Sequence, residues 1–215
     1  MTAELSAPQQ PDTREARTPP AGPLTFEQFL DWADEDTLAE WVDGKVIMTS
    51  PASLPHQDLS LFLAAIMRFH AEENSLGRVL TAPFQMRLPN VRRGREPDLL
   101  FVATANLDRL RTNFLDGPAD LVVEIISPES LLRDRGEKFA EYEIEGVGEY
   151  WLLDPEAQRP DFFVRGPDGR YARVLPDAEG VYRSTALAGF RLNVHWLWQR
   201  PLPKLRDVLP EGERH

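Results

Sequence analysis

The stretch LVVEIIS, residues 121–127, is apolar and largely β-branched except for one carboxylate at its centre. Such a run predicts a strand buried on both faces, and therefore a sheet covered on both sides. Glu124 then sits where burial is expected, and an unpaired buried carboxylate is penalised by several kcal/mol even after relaxation. It must be protonated, paired or bound to a metal. An arginine partner, or an edge position that turns the side chain to solvent, are the plain alternatives.

Working outward, Glu149–Leu153 reads as a second central strand, and residues 131–145 as a helix that Gly146 terminates. Upstream, Asp98–Ala103, Phe84–Leu88 and Arg78–Thr81 read as strands, and Leu59, Phe62, Leu63, Ile66 and Met67 recur at helical spacing over about 55–73. Asp43-Gly44 between two apolar runs predicts a two-residue hairpin turn. Thr25 with Gln28 forms a capping-box pattern ahead of a short helix. Beyond Pro155, short strands punctuated by Gly and Pro lead to a segment containing Trp196 and Trp198. The pattern is an α/β core with a β-rich C-terminal extension. Residues 1–23, with five prolines, read as a disordered tail, 24–200 as a single domain and 201–215 as a C-terminal tail.

With 42% hydrophobic and 27% charged residues, the chain looks like an ordinary globular protein. No cysteine is present, which excludes disulfides, thiolate metal sites and a cysteine nucleophile and suits a cytoplasmic setting. No apolar run approaches the roughly 20 residues that span a bilayer, so no membrane partner is expected. The formal charge of −11 argues against a general nucleic-acid coating protein. It is unevenly spread: residues 25–44 hold seven acids and no base, whereas 78–111 hold seven arginines against three acids. Phosphate, if bound, is expected near that second segment. No phosphate loop, dinucleotide fingerprint or GxSxG elbow occurs.

Asp98 follows Pro97 and opens the run LLFVA, at the mouth of a strand; alone, an aspartate after proline is commonly a turn residue. Taken with Glu124, two strand-borne carboxylates can converge on a hard cation, and oxygen ligands favour Mg²⁺ or Mn²⁺. Lys138 lies one helical turn after Asp134 and one before Tyr142, which places all three on one helix face. Alone, that segment reads as a solvated face carrying a surface Asp134–Lys138 pair.

The combination EPDLLFV (96–102), DLVVEIISPES (120–130) and RDRGEKFAEYEIEGVGEYWLLDP (133–155) resembles the Uma-two family of restriction-endonuclease-like proteins, a branch of the PD-(D/E)XK superfamily. The likeness spans about residues 25–195. It implies a restriction-endonuclease-like fold, a mixed β-sheet flanked by helices, and a metal-dependent endonuclease acting on DNA. Asp98 matches the PD aspartate and Glu124 the following acid. The lysine usually found two residues later is replaced by Ile126, which cannot handle a proton, and the resemblance nominates Lys138 on the next helix instead.

Glu40 and His56 match family features more loosely, as supports of the ligands or ligands of a second ion. Their plain readings are one more acid in an acidic stretch and a capping or solvated histidine. In the implied mechanism, Asp98 and Glu124 hold one Mg²⁺ or Mn²⁺, Lys138 orients the attacking water or stabilises transition-state charge, and the Ile126 carbonyl adds a backbone ligand. Arg92, Arg93 and Arg95, on the loop before Asp98, and Arg133 and Arg135, near Lys138, are the candidate phosphate contacts. A noncatalytic nucleic-acid-binding or regulatory module that keeps the fold, or a carboxylate-based hydrolase of another ester or a glycan, are the competing readings. A homodimer would suit double-strand cleavage, with HWLWQRPLP either packing on the partner or closing the core.

Overall fold

The computed structural model describes residues 18–34, 37–50 and 52–209. Its centre is a six-stranded mixed sheet built from β3 (Gly77–Thr81), β6 (Leu99–Ala103), β8 (Leu121–Ile125), β9 (Glu149–Asp154), β10 (Arg159–Arg165) and β11 (Tyr171–Val174). The strands run in the order β11-β10-β9-β8-β6-β3, and only β8 and β9 pair in parallel. Both faces are covered, as the run at 121–127 demands. Leu121, Val123 and Ile125 alternate onto one face, beneath α2 (Leu54–Glu73) and the C-terminal extension, while Val122, Glu124 and Ile126 point to the other.

That second face meets a five-stranded sheet, ordered β2-β1-β5-β4-β7, and α3 (Phe139–Glu145). The five strands are β1 (Ala39–Val42), β2 (Lys45–Met48), β4 (Gln85–Leu88), β5 (Arg93–Arg95) and β7 (Phe114–Asp116). β1 and β2 form the expected hairpin, whose turn residues Asp43 and Gly44 both hold positive φ, 49° and 87°; that geometry matches the strand twist and favours Asp-Gly. α1 (Phe26–Trp32) starts at a complete Thr25–Gln28 capping box and packs Phe26 and Phe29 against Trp41. Among the described residues, no helix is long and apolar enough to cross a membrane.

Three expectations change. Residues 93–95 were expected on a loop but form β5, which is paired antiparallel with β1 on one side and β4 on the other, and there Arg93 and Arg95 meet carboxylates distant in sequence. The helix over 131–145 opens with a π-helical turn, Arg133–Lys138, before α3 begins and ends at Gly146 in the left-handed region; such wide turns recur at functional sites. Residues 201–209 are not a tail: Leu202, Val208 and Leu209 pack on the α2 side of the core, with Trp196, Leu197 and Trp198 closing it. The expected N-terminal tail lies outside the described residues from 1 to 17, as do 210–215.

Candidate active site

The carboxyl end of β8 forms the floor of a cavity of about 680 Å³. Its walls come from the start of α2, the end of β2, the turn after β3, the link from β8 to the π-helical turn, and Pro155-Glu156. Asp98, Glu124, Lys138, Glu40 and His56 all line it, so one place gathers five residues nominated from five separate stretches of sequence.

Asp98 is held from two sides. Its Oδ2 accepts the Ile125 backbone N–H at 2.6 Å and lies 3.2 Å from His56 Nε2. Ser53 caps α2 and accepts from the His56 amide, which fixes the first turn that carries this imidazole. Burial disfavours the charged ring, but the hydrogen bond and charge of Asp98 outweigh it and raise the His56 pKa. Oδ1 of Asp98 carries no hydrogen bond from the described residues.

Glu124 is almost completely buried. Its Oε1 accepts from Lys138 Nζ at 2.8 Å and from the Tyr142 hydroxyl at 2.8 Å, one helical turn apart. Oε2 has no such partner among the described residues, and the residue opens onto the cavity. Burial pushes the Glu124 carboxyl up to about 8; Lys138 opposes the rise, while the nearby charges of Asp134 and Asp98 add to it.

Lys138 is not on a solvated surface. Only 3% exposed, it sits among Glu124 at 2.8 Å, Glu40 at 3.3 Å and Asp134 at 3.4 Å. Asp134 is at ion-pair distance without a well-directed hydrogen bond, since its Oδ1 is buried and unsatisfied. Burial disfavours the ammonium, but the three carboxylates overcome it and hold the lysine charged above its ordinary range. The helix that reads as a surface in isolation is buried because the Glu124 face of the sheet lies beneath it.

Glu40 is a bridge. Its Oε2 accepts from Arg95 at 2.7 Å, and its Oε1 faces Lys138 and the Glu96 amide. Burial would raise its pKa, yet Lys138 and Arg95 bring it down to about 2. Arg95, 1% exposed, is also clasped by both oxygens of Glu141, and Arg93 by Glu141 and Asp43. These two arginines therefore serve carboxylates of their own chain, and neither lines the cavity. Arg92 is exposed and lies away from the cavity, beside α1. Arg135 is engaged by Asp161 at 2.8 Å and sits 3.7 Å from Asp154. Of the five nominated arginines, only Arg133 lines the cavity, and its buried Nε has no partner.

Several contributors escaped sequence reasoning. Glu96, which also lines the cavity, is pushed up to about 7, first by burial and then by the charge of Glu40. Tyr142 was placed on the Lys138 face but given no role. The signal was its spacing of four from Lys138, which puts its hydroxyl on the same Glu124 oxygen.

The site is thus rich in carboxylates, and the free oxygens of Asp98 and Glu124 suit a hard divalent cation. Among the described residues, no three His, Cys, Asp or Glu side chains converge as a ready-made cage. A cation there would complete its shell with water and backbone carbonyl, as Mg²⁺ commonly does.

A model of the Uma2 family, described as "Putative restriction endonuclease", matches residues 26–195. A relative described as "Uncharacterized protein slr1290", from Synechocystis sp., is 25% identical over 148 residues, covering 68% of this chain and 76% of the relative. In structure, the chain resembles a crystal structure described as "a putative nuclease belonging to DUF820" from Anabaena variabilis, with a TM-score of 0.68 and 17% identity. That match covers 82% of this chain and 98% of the other. The fold is that of restriction-endonuclease-like nucleases.

Proposed function

We propose that this chain, which belongs to the Uma2 family, is a divalent-cation-dependent nuclease that hydrolyses DNA phosphodiester bonds at Asp98 and Glu124. The observation that carries the reading is the pair of unshared carboxylate oxygens beside a buried, charged lysine on the floor of a cavity. Asp98 and Glu124 would hold Mg²⁺ or Mn²⁺, which when bound supplies Lewis acidity and an acidified water.

The chain's own groups do the rest. His56 and the Ile125 amide fix Asp98, while Lys138 and Tyr142 fix Glu124, so neither carboxylate must reorganise during the reaction. Lys138, held protonated by three carboxylates, cannot take a proton near neutral pH. Its role is electrostatic: a fixed positive charge that orients the attacking water and offsets negative charge building on the phosphate. Glu40, whose two oxygens face Arg95 and Lys138, positions the ammonium rather than binding the cation. Arg133 is the guanidinium available to the scissile phosphate.

The test is nicking of supercoiled plasmid DNA with Mg²⁺ or Mn²⁺ by the wild type, Asp98→Asn and Lys138→Met. The expected result is cation-dependent nicking lost in both variants. No nicking by the folded wild type in either cation would contradict the proposal.

A further inference from the structure

A second cluster lies on the same face of the central sheet, beyond the cavity. Glu124, Leu152 and Asp161 form one row across β8, β9 and β10, since Glu124 pairs with Leu152 and Leu152 with Asp161. Two strand spacings separate the ends of that row, roughly 10 Å. Around Asp161 stand three arginines: Arg135 at 2.8 Å, Arg159 at 3.2 Å and Arg173 at 2.6 Å. Asp161 itself is buried, while Arg159 and Arg173 are half-exposed, at 51% and 50%.

Ion pairing alone does not account for this arrangement. Among the described residues, the other carboxylate that pairs with the three guanidiniums is Asp154, 3.7 Å from Arg135, which leaves the cluster an excess positive charge. Arg135 Nη2 is buried without a hydrogen bond. Crowding three cations on one carboxylate adds like-charge repulsion, and it does so in a chain whose net charge is −11. An anion laid across the fan would relieve that repulsion, and guanidiniums grip phosphate oxygens through paired N–H donors.

The position also fits. Arg135 shares the π-helical turn with Arg133, which lines the cavity, and Asp154 precedes the Pro155-Glu156 wall. We infer that Arg135, Arg159 and Arg173 form a backbone-binding surface for the nucleic-acid strand that leads out of the cavity, holding phosphates next to the scissile one. The inference rests on the nuclease reading for its ligand, but its test does not require cleavage.

Fluorescence anisotropy of a labelled DNA oligonucleotide in EDTA, titrated over a range of salt, measures binding without hydrolysis. Arg159→Gln/Arg173→Gln is expected to bind at least tenfold more weakly at low salt. Its slope of log affinity against log salt should fall by about 1.4 to 1.8, because each lost phosphate contact removes about 0.7 to 0.9. Arg159→Lys/Arg173→Lys should keep most of the slope, because the charge remains. Hydrolysis of bis(p-nitrophenyl) phosphate, too small to reach the fan, should be equal in wild type and the glutamine variant. Equal affinity and slope in wild type and the glutamine variant would overturn the inference, as would a wild type that does not bind. Fan-dependent binding by a wild type that cleaves neither plasmid nor the small diester would leave the fan standing and remove the nuclease reading.

Discussion

Glu124 and Glu149 stand on adjacent parallel strands of one sheet, both buried, and point to opposite faces. Glu149 is saturated. Its Oε1 accepts from Trp151 Nε1 and the Tyr182 hydroxyl, and its Oε2 from the Ser184 and Thr185 hydroxyls and the Thr185 and Ala186 amides, all between 2.6 and 3.0 Å. All six donors are neutral, and five come from residues 182–186, so this carboxylate staples the C-terminal extension to β9. Glu124 instead has one oxygen shared by Lys138 and Tyr142, and the other unengaged at the cavity. A buried acid satisfied by its own chain is a structural device; one left half-satisfied beside other acids is where the proposed function puts its cation.

Removing each carboxylate in turn should separate the two sites most strongly. Glu149→Ala strands six donors in the core, and a loss of about 5 kcal/mol is expected, because each unmet buried donor is costly and the losses accumulate. Chemical denaturation measures it, and a loss under about 1 kcal/mol would show that the extension does not depend on the staple. Glu124→Gln should lower cation-dependent DNA cleavage by roughly 10³-fold, about 4 kcal/mol in the transition state.

Glu40→Gln probes the network that supports Lys138. About 3 kcal/mol of stability is expected to be lost at neutral pH, since Arg95 and Lys138 each lose a charged partner. The folded-state pKa of Glu40 is lowered from its ordinary 4.5 to about 2, so this stabilisation is present above the ordinary value and fades as pH falls toward the lower one. The gap between wild type and variant should therefore narrow below about pH 4.5, as followed by denaturation across pH. The smallest effect is the most telling. In the absence of divalent cation, Glu124→Gln should change stability by less than about 1 kcal/mol, because Lys138 keeps Glu40 and Asp134 while a crowded acid is removed.

The contrast also separates what the sequence discloses from what only the fold does. Glu124 was legible because one acid interrupts an apolar run, and the α2 periodicity and Asp43-Gly44 hairpin are local signals of the same kind. Lys138 was reached by resemblance, since its helix alone reads as a solvated surface and only the sheet beneath buries it. Arg93 and Arg95 read as phosphate ligands because a basic stretch precedes Asp98. In the fold Arg95 pairs with Glu40 and Glu141, 55 and 46 residues away, and Arg93 with Glu141 and Asp43, and no local pattern reveals such pairings. Glu149 was read only as the start of a strand, for its donors are supplied by a later segment that folds back over the sheet.

In the proposed site, Asp98 and Glu124 hold one divalent cation. A Mn²⁺ titration followed by electron paramagnetic resonance, on wild type, Asp98→Asn and Glu124→Gln, tests it most directly. One site is expected in the wild type, and its loss in both variants; a wild type that binds no Mn²⁺, or a Glu124→Gln variant that binds it as tightly, would contradict the account.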